Sequence, residues 1–188
     1  MVAVRKHKKK QRTEKLINNI RNIVIVTIIV LILIKINKVV FFFVFFSIFG
    51  FLGKWIRGQF GLKMVVLDPN LFFMILMLQF FGIKMLALFL FINIFSVDLI
   101  TGIFSAGSFL NYVLYHVCPI TAFLLLGGGS MNVWGNVASL LYSVLYVFFR
   151  TKVLPDDPFQ VFSKAITSFI FTFLYISFLG PLFTLIIG

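Results

Sequence analysis

Apolar residues run through this chain in long unbroken blocks, and the polar residues fall in short groups between them. Continuous apolar runs predict helices embedded in lipid and exclude the dyad alternation of a β-barrel. The blocks are uneven. Residues 23–34 are apolar, the tetrad Lys35-Ile36-Asn37-Lys38 follows, and "VVFFFVFFSIFGFL" occupies 39–52. Joined, these blocks make about 30 residues, or about 45 Å of helix, longer than a bilayer core. Two arrangements compete: two short spans joined at the tetrad, or one long helix whose first turns stand outside the lipid. The lack of Gly or Pro at the tetrad favours one helix. Two spans would instead return Lys54, Arg57 and Lys63 to the cytoplasm, as the positive-inside rule prefers.

Further along, Asp68 as N-cap and Pro69 at the first helical position predict a helix that runs to about Gly82. Gly82-Ile83-Lys84 reads as a brief turn, and 85–103 as the next helix. "SAGS" at 105–108 breaks it. Residues 109–126 form a span that Pro119 should kink, "GGGS" at 127–130 a loop, and 131–149 a clean span. "RTKVLPDDPFQ" is the most polar connection of the second half, where Asp157-Pro158 repeats the helix-start pattern. The last span covers 161–187, interrupted at Gly180-Pro181. The expected fold is all-α: a polytopic transmembrane helical bundle of six or seven spans with short helices. A basic cytoplasmic N-terminal tail, 1–22, precedes a single transmembrane domain, 23–188.

Composition strengthens that reading. The chain has 188 residues, 61% of them hydrophobic and 12% charged, whereas a soluble domain is about a quarter charged. Eight of the basic residues, Arg5, Lys6, Lys8, Lys9, Lys10, Arg12, Lys15 and Arg21, precede the first long apolar run, against one acid, Glu14. They place the N-terminus in the cytoplasm, against anionic lipid, of a multi-pass protein of the cell membrane. No aromatic or Gly-rich pattern accompanies them, so nucleic acid is not an expected partner. The first apolar run offers no small-residue cleavage site, so the N-terminus is expected to be retained. Cys118 is the lone cysteine, which excludes an intramolecular disulfide and a cysteine-based metal cluster.

Catalytic constellations are not readable. The carboxylates are Glu14, Asp68, Asp98, Asp156 and Asp157, and the histidines are His7 and His116. No G-x-S-x-G frames a serine, and "GGGS" lacks the lysine and strand of a phosphate-cradling loop. The expectation is a non-enzyme with no cofactor and no metal. Asp98 stands out, because a carboxylate inside a membrane helix is costly and usually paired or functional. It shares a helix face with Thr101. Asn111 shares a face with Tyr115 on the following span, as Tyr112 does with His116. Asp98 either caps a turn at the membrane surface, bonding amides around 102–107, or joins these residues in a ligand or partner contact.

The segment from Leu67 to Leu126 resembles the central region of the MreD family of rod-shape-determining membrane proteins. Asp68-Pro69, Lys84, Asp98-Leu99-Ile100-Thr101-Gly102 and Asn111-Tyr112 occupy the places of that family's helix start, basic hairpin turn, Asp-Leu-Leu-x-Gly segment and Gly-led span. MreD-like proteins are in turn similar to the substrate-binding S components of energy-coupling-factor transporters. The resemblance implies a six-helix membrane subunit that scaffolds a cell-envelope assembly with other membrane protein subunits. Its alternative is a solute-capturing subunit that holds a small molecule between helices. The bulky "VVFFFVFFSIF" run, in place of small-xxx-small spacing, speaks against the alternative.

Overall fold

The computed structural model describes residues 37–60, 69–95, 104–154 and 156–187. Every regular element among them is helical, and none of the described residues forms a strand. The helices are α1 (Lys38–Phe60), α2 (Asn70–Phe89), α3 (Ala106–Leu125), α4 (Met131–Lys152), α5 (Pro158–Leu174) and α6 (Gly180–Ile187). Two π-helical segments, Leu90–Phe95 and Tyr175–Leu179, extend α2 and join α5 to α6. By length and composition, four stretches suffice to cross a membrane: Asn70–Asn93, Ala106–Leu125, Met131–Lys152 and Pro158–Ile187. The protein is therefore a multi-pass helical membrane protein. Contacts divide the chain into two compact units, Met1–Phe42 and Phe43–Gly188, and the packing described below belongs to the second. The basic tail, Asp68, Asp98 and Thr101 lie outside the described residues.

Local chemistry sets each helix boundary. Asn37 is non-helical, and its side-chain oxygen accepts the Val40 amide at 3.1 Å while its carbonyl accepts Phe41 N–H at 3.0 Å. This is an N-cap geometry, and the described part of α1 begins at Lys38; Lys35 and Ile36 of the tetrad lie outside the described residues. α2 begins at Asn70 with Pro69 in the N-cap position, one residue later than expected, and the Pro69 carbonyl takes the first helical bond from Phe73 N–H. "SAGS" starts a helix where a break was expected. Ser105 caps α3 by accepting the Ser108 amide at 3.1 Å, so the span opens at Ala106 instead of Phe109. At the other end of α3, Gly128 N–H reaches back to the Phe123 carbonyl at 2.9 Å. Gly127 at φ 67° supplies the left-handed residue this Schellman closure needs. α5 starts at Pro158, as the Asp157-Pro158 pattern predicted and three residues ahead of the apolar span, with the Asp157 side chain accepting Phe159 N–H at 3.1 Å. Pro181 has no amide to continue an α-helical ladder, and the wide π turn directly before Gly180 lies where that ladder fails.

The stretch Asn70–Asn93 is not a straight rod. Gly82 holds φ 80°, ψ 179°, far from helical. Phe73 and Phe89, about 24 Å apart along an ideal helix, have ring centroids 6.5 Å apart. The chain thus folds back at Gly82 into a hairpin with limbs of residues 70–81 and 83–95, as the Gly82-Ile83-Lys84 turn implied. Each limb is only about 18–20 Å long. The first limb is the centre of the molecule: Leu71 through Leu78 are all buried, on every side of the helix. A helix apolar all round belongs inside protein, and membrane-embedded hairpins of this kind are tolerated there.

The other helices pack around this limb. Phe46 of α1 stacks on Phe73 at 4.7 Å, and Phe43 meets Phe89 edge-on at 5.9 Å. A Cβ on Gly135 of α4 would lie 3.1 Å from Ile176 and 3.2 Å from Ile75, so α4, the hairpin and the last span converge there at backbone distance. Lipid tails are as apolar as these side chains, so the bundle holds by close packing and interhelical hydrogen bonds and not by a transfer term. One such bond is long-range: Trp134 Nε1 donates to Gln79 Oε1 at 2.8 Å. It fastens the hairpin tip to the start of α4.

Candidate functional site

α3 carries two faces with polar or aromatic side chains, the Tyr112–His116 pair and the Asn111–Tyr115 pair that the sequence spacing defined. Tyr112 and His116 turn toward the second hairpin limb. There they line a cleft of ≈390 Å³ with Ala87, Leu90, Phe91 and Phe109, closed lengthwise by Val113 and Val117. Tyr112 is buried and stacks near Phe104 at 6.2 Å, whereas Phe91, Phe109, Val113 and Val117 are exposed. The cleft therefore opens sideways, toward lipid. Its polar groups are the Tyr112 hydroxyl and the half-buried His116 imidazole.

The opposite face carries Gly107, Asn111, Tyr115 and Cys118 at helical spacing, and it packs on α4. Tyr115 stacks on Tyr142 at 5.0 Å with rings 9° from parallel, and Tyr142 stacks on Tyr146 at 5.7 Å. The aromatic column ends in charge. The Arg150 guanidinium carbon lies 5.6 Å, and the Lys164 ammonium 5.5 Å, from the centroid of the Tyr146 ring. Arg150 Nε forms an ion pair with Asp156 Oδ2 at 2.7 Å, and Asp156 N–H donates to the Arg150 carbonyl at 3.0 Å. This closes the polar connection between α4 and α5. A Cβ on Gly107 would collide with Arg150 Nη1, so only glycine lets that guanidinium settle on the first turn of α3. Ser143 ties the third helix in: its hydroxyl donates to the Ser139 carbonyl at 2.9 Å and lies 3.4 Å from the Ala165 carbonyl of α5.

Asn111 sits between Gly107, which Arg150 covers, and Tyr115, which Tyr142 covers. Among the described residues, its Oδ1 is buried without a donor and the Ser139 hydroxyl and Asn93 Nδ2 are buried without a hydrogen-bond partner. Tyr112 and His116 line the cleft, while Tyr115 stacks on Tyr142 of α4; Asp98 and Thr101, the other members of the expected cluster, lie outside the described residues. Sequence reasoning passed over Tyr142, Tyr146, Arg150 and Lys164. The signal was present: Tyr142, Tyr146 and Arg150 recur every fourth residue, one stripe of a helix. Among the described residues, no three His, Cys, Asp or Glu side chains converge on a point where a metal could sit.

Compared with protein-family models, curated proteins and solved structures, the chain matches none.

Proposed function

We propose that this protein is a non-catalytic, MreD-like membrane subunit that assembles with other membrane proteins of the cell envelope. In this reading the Tyr112–His116 cleft receives a transmembrane helix of a partner. The observation that carries it is the cleft's lining. Bulky apolar side chains, Phe91, Phe109, Val113 and Val117, stand exposed around a recess that faces lipid and holds a tyrosine and a histidine. Helices associate in lipid by filling such recesses, and a buried His or Tyr adds an interhelical hydrogen bond of about 0.6–2 kcal/mol. The protein sits in the cell membrane with its N-terminus in the cytoplasm, in keeping with the charge of the tail.

A second reading has its own support. The volume of ≈390 Å³ falls within the range of small-molecule pockets, about 300–1,000 Å³. An S-component-like subunit would hold a solute there. Val113→Trp separates the readings, because Val113 is exposed and the larger ring fills the cleft without entering the core. After mild detergent extraction, native mass spectrometry should show the parent with a copurifying membrane protein and Val113→Trp without it, at unchanged melting temperature. Loss of a bound small molecule in place of a protein would transfer the cleft to the transporter reading. A variant that retains all its companions would remove the cleft from either role.

A further inference from the structure

Three cations gather where α4 ends and α5 begins. Arg150 and Lys152 close α4, and Lys164 lies within the first two turns of α5. Arg150 and Lys164 both approach one buried ring, Tyr146, at 5.6 and 5.5 Å. A ring face attracts a cation, but two cations drawn to the same ring repel each other. Arg150 also rests on Gly107 in the first turn of α3, next to the positive end of that helix's dipole. Among the described residues, the acids facing this corner are already engaged. Asp156 is paired with Arg150, and Asp157 caps α5. Lys164 has no carboxylate partner among the described residues. Lys164 is therefore a half-buried positive charge at the polar end of the bundle without a counter-charge among the described residues. From it runs the exposed apolar stripe of α5: Phe162, Ile166, Ile170 and Phe173.

We infer that this corner binds the phosphate of an anionic phospholipid headgroup. Lys164 supplies the principal charge, Arg150 approaches the same Tyr146 ring, and the acyl chains lie along the α5 stripe. Tyr146 fixes both cations, so the site is built before the lipid arrives. The cytoplasmic leaflet, where positive-inside charge places this end of α4, supplies anionic lipid. A zwitterionic headgroup brings its own cation and should be disfavoured.

The test uses the full chain in nanodiscs of phosphatidylcholine mixed with phosphatidylglycerol, with native mass spectrometry reading the lipid retained after ejection. The parent should retain phosphatidylglycerol in preference to phosphatidylcholine. Lys164→Gln should weaken that retention about fivefold, the worth of one lysine at an anionic surface, and Lys164→Arg should restore it. The basic tail is the same in every variant and cancels. Equal retention of the two lipids by the parent, which needs no variant, would overturn the proposal. So would undiminished phosphatidylglycerol on a folded Lys164→Gln. If inorganic phosphate displaces the lipid from the parent at comparable concentration, the corner is a site for free anions and not for lipid.

Discussion

Single side chains in this bundle act mostly as fasteners between helices, and their worth can be measured one at a time. Trp134 is fully buried, meets Phe123 edge-on at 5.2 Å and gives its indole N–H to Gln79 at 2.8 Å. Trp134→Phe keeps much of the ring and removes the donor, leaving the Gln79 carbonyl oxygen with water or nothing. The expected loss is about 1–3 kcal/mol, the cost of a buried acceptor left unmade. Gln79→Leu in the same background should recover much of it, because removing both partners abolishes the orphan. Thermal unfolding of the two single variants and the double variant in detergent closes this cycle, and strict additivity would show that the 2.8 Å contact carries no coupling. The site residues were legible to the same depth. Asn111 with Tyr115, and Tyr112 with His116, are the pairs a 3.6-residue period places together, and the structure keeps each pair on one face. That the two faces look at different neighbours is tertiary information. It depends on where α4 and the second hairpin limb each meet α3, which no spacing within α3 encodes.

At the scale of elements, caps and glycines outweighed hydropathy. Composition alone makes Asn70–Asn93 a membrane-length stretch; the single non-helical residue Gly82 makes it a hairpin. The turn was legible from Gly82-Ile83-Lys84, because glycine followed by a lysine interrupts an otherwise apolar run. The full burial of the first limb was not legible, because an all-apolar helix reads the same whether lipid or protein surrounds it. The start of α3 was misjudged, and that of α1 left open, for a shared reason. Asn37 and Ser105 are short polar side chains that read as interruptions in a hydropathy pattern, yet each accepts an amide and begins a helix. Gly82 yields a direct test. Its φ 80°, ψ 179° lies in a region that is essentially glycine's alone, and nothing stands within 4 Å of a Cβ placed there. Gly82→Ala therefore meets no clash and should cost about 1–3 kcal/mol from backbone strain alone. A lowered melting temperature with Trp134 fluorescence unchanged in the folded state would match this. An alanine variant as stable as the parent would mean that the limbs can turn without the special dihedral.

For the molecule as a whole, the hairpin sets the parity of the topology. Because the chain reverses at Gly82, residues 69 and 95 stand toward the same side of the bundle, and α3 starts from that side. α3 and α4 then carry the chain out to the Gly127–Ser130 loop, which has no charge, and back to Arg150 and Lys152. If that returning end is cytoplasmic, so is the connection before Pro69, and the segments ahead of it must cross an even number of times. With a cytoplasmic tail we predict two N-terminal crossings, the two-span reading of the sequence, in segments that lie partly outside the described residues. Counting both hairpin limbs, the membrane then holds seven apolar segments. Lys54, Arg57, Lys63, Arg150, Lys152 and Lys164 join the tail on the inside, and only Lys35, Lys38 and Lys84 are left for the outer half, the asymmetry that orients a polytopic chain. A six-segment arrangement with the same tail would turn the Arg150 end outward and reverse that balance. Cysteine labelling in intact cells decides between them. In a Cys118→Ala background, Lys35→Cys and Ser130→Cys should react with an impermeant maleimide from outside, and Lys152→Cys only after permeabilisation. Labelling of Lys152→Cys in intact cells, with Lys35→Cys and Ser130→Cys protected, would establish the six-segment topology and place the Arg150–Lys164 corner in the outer leaflet.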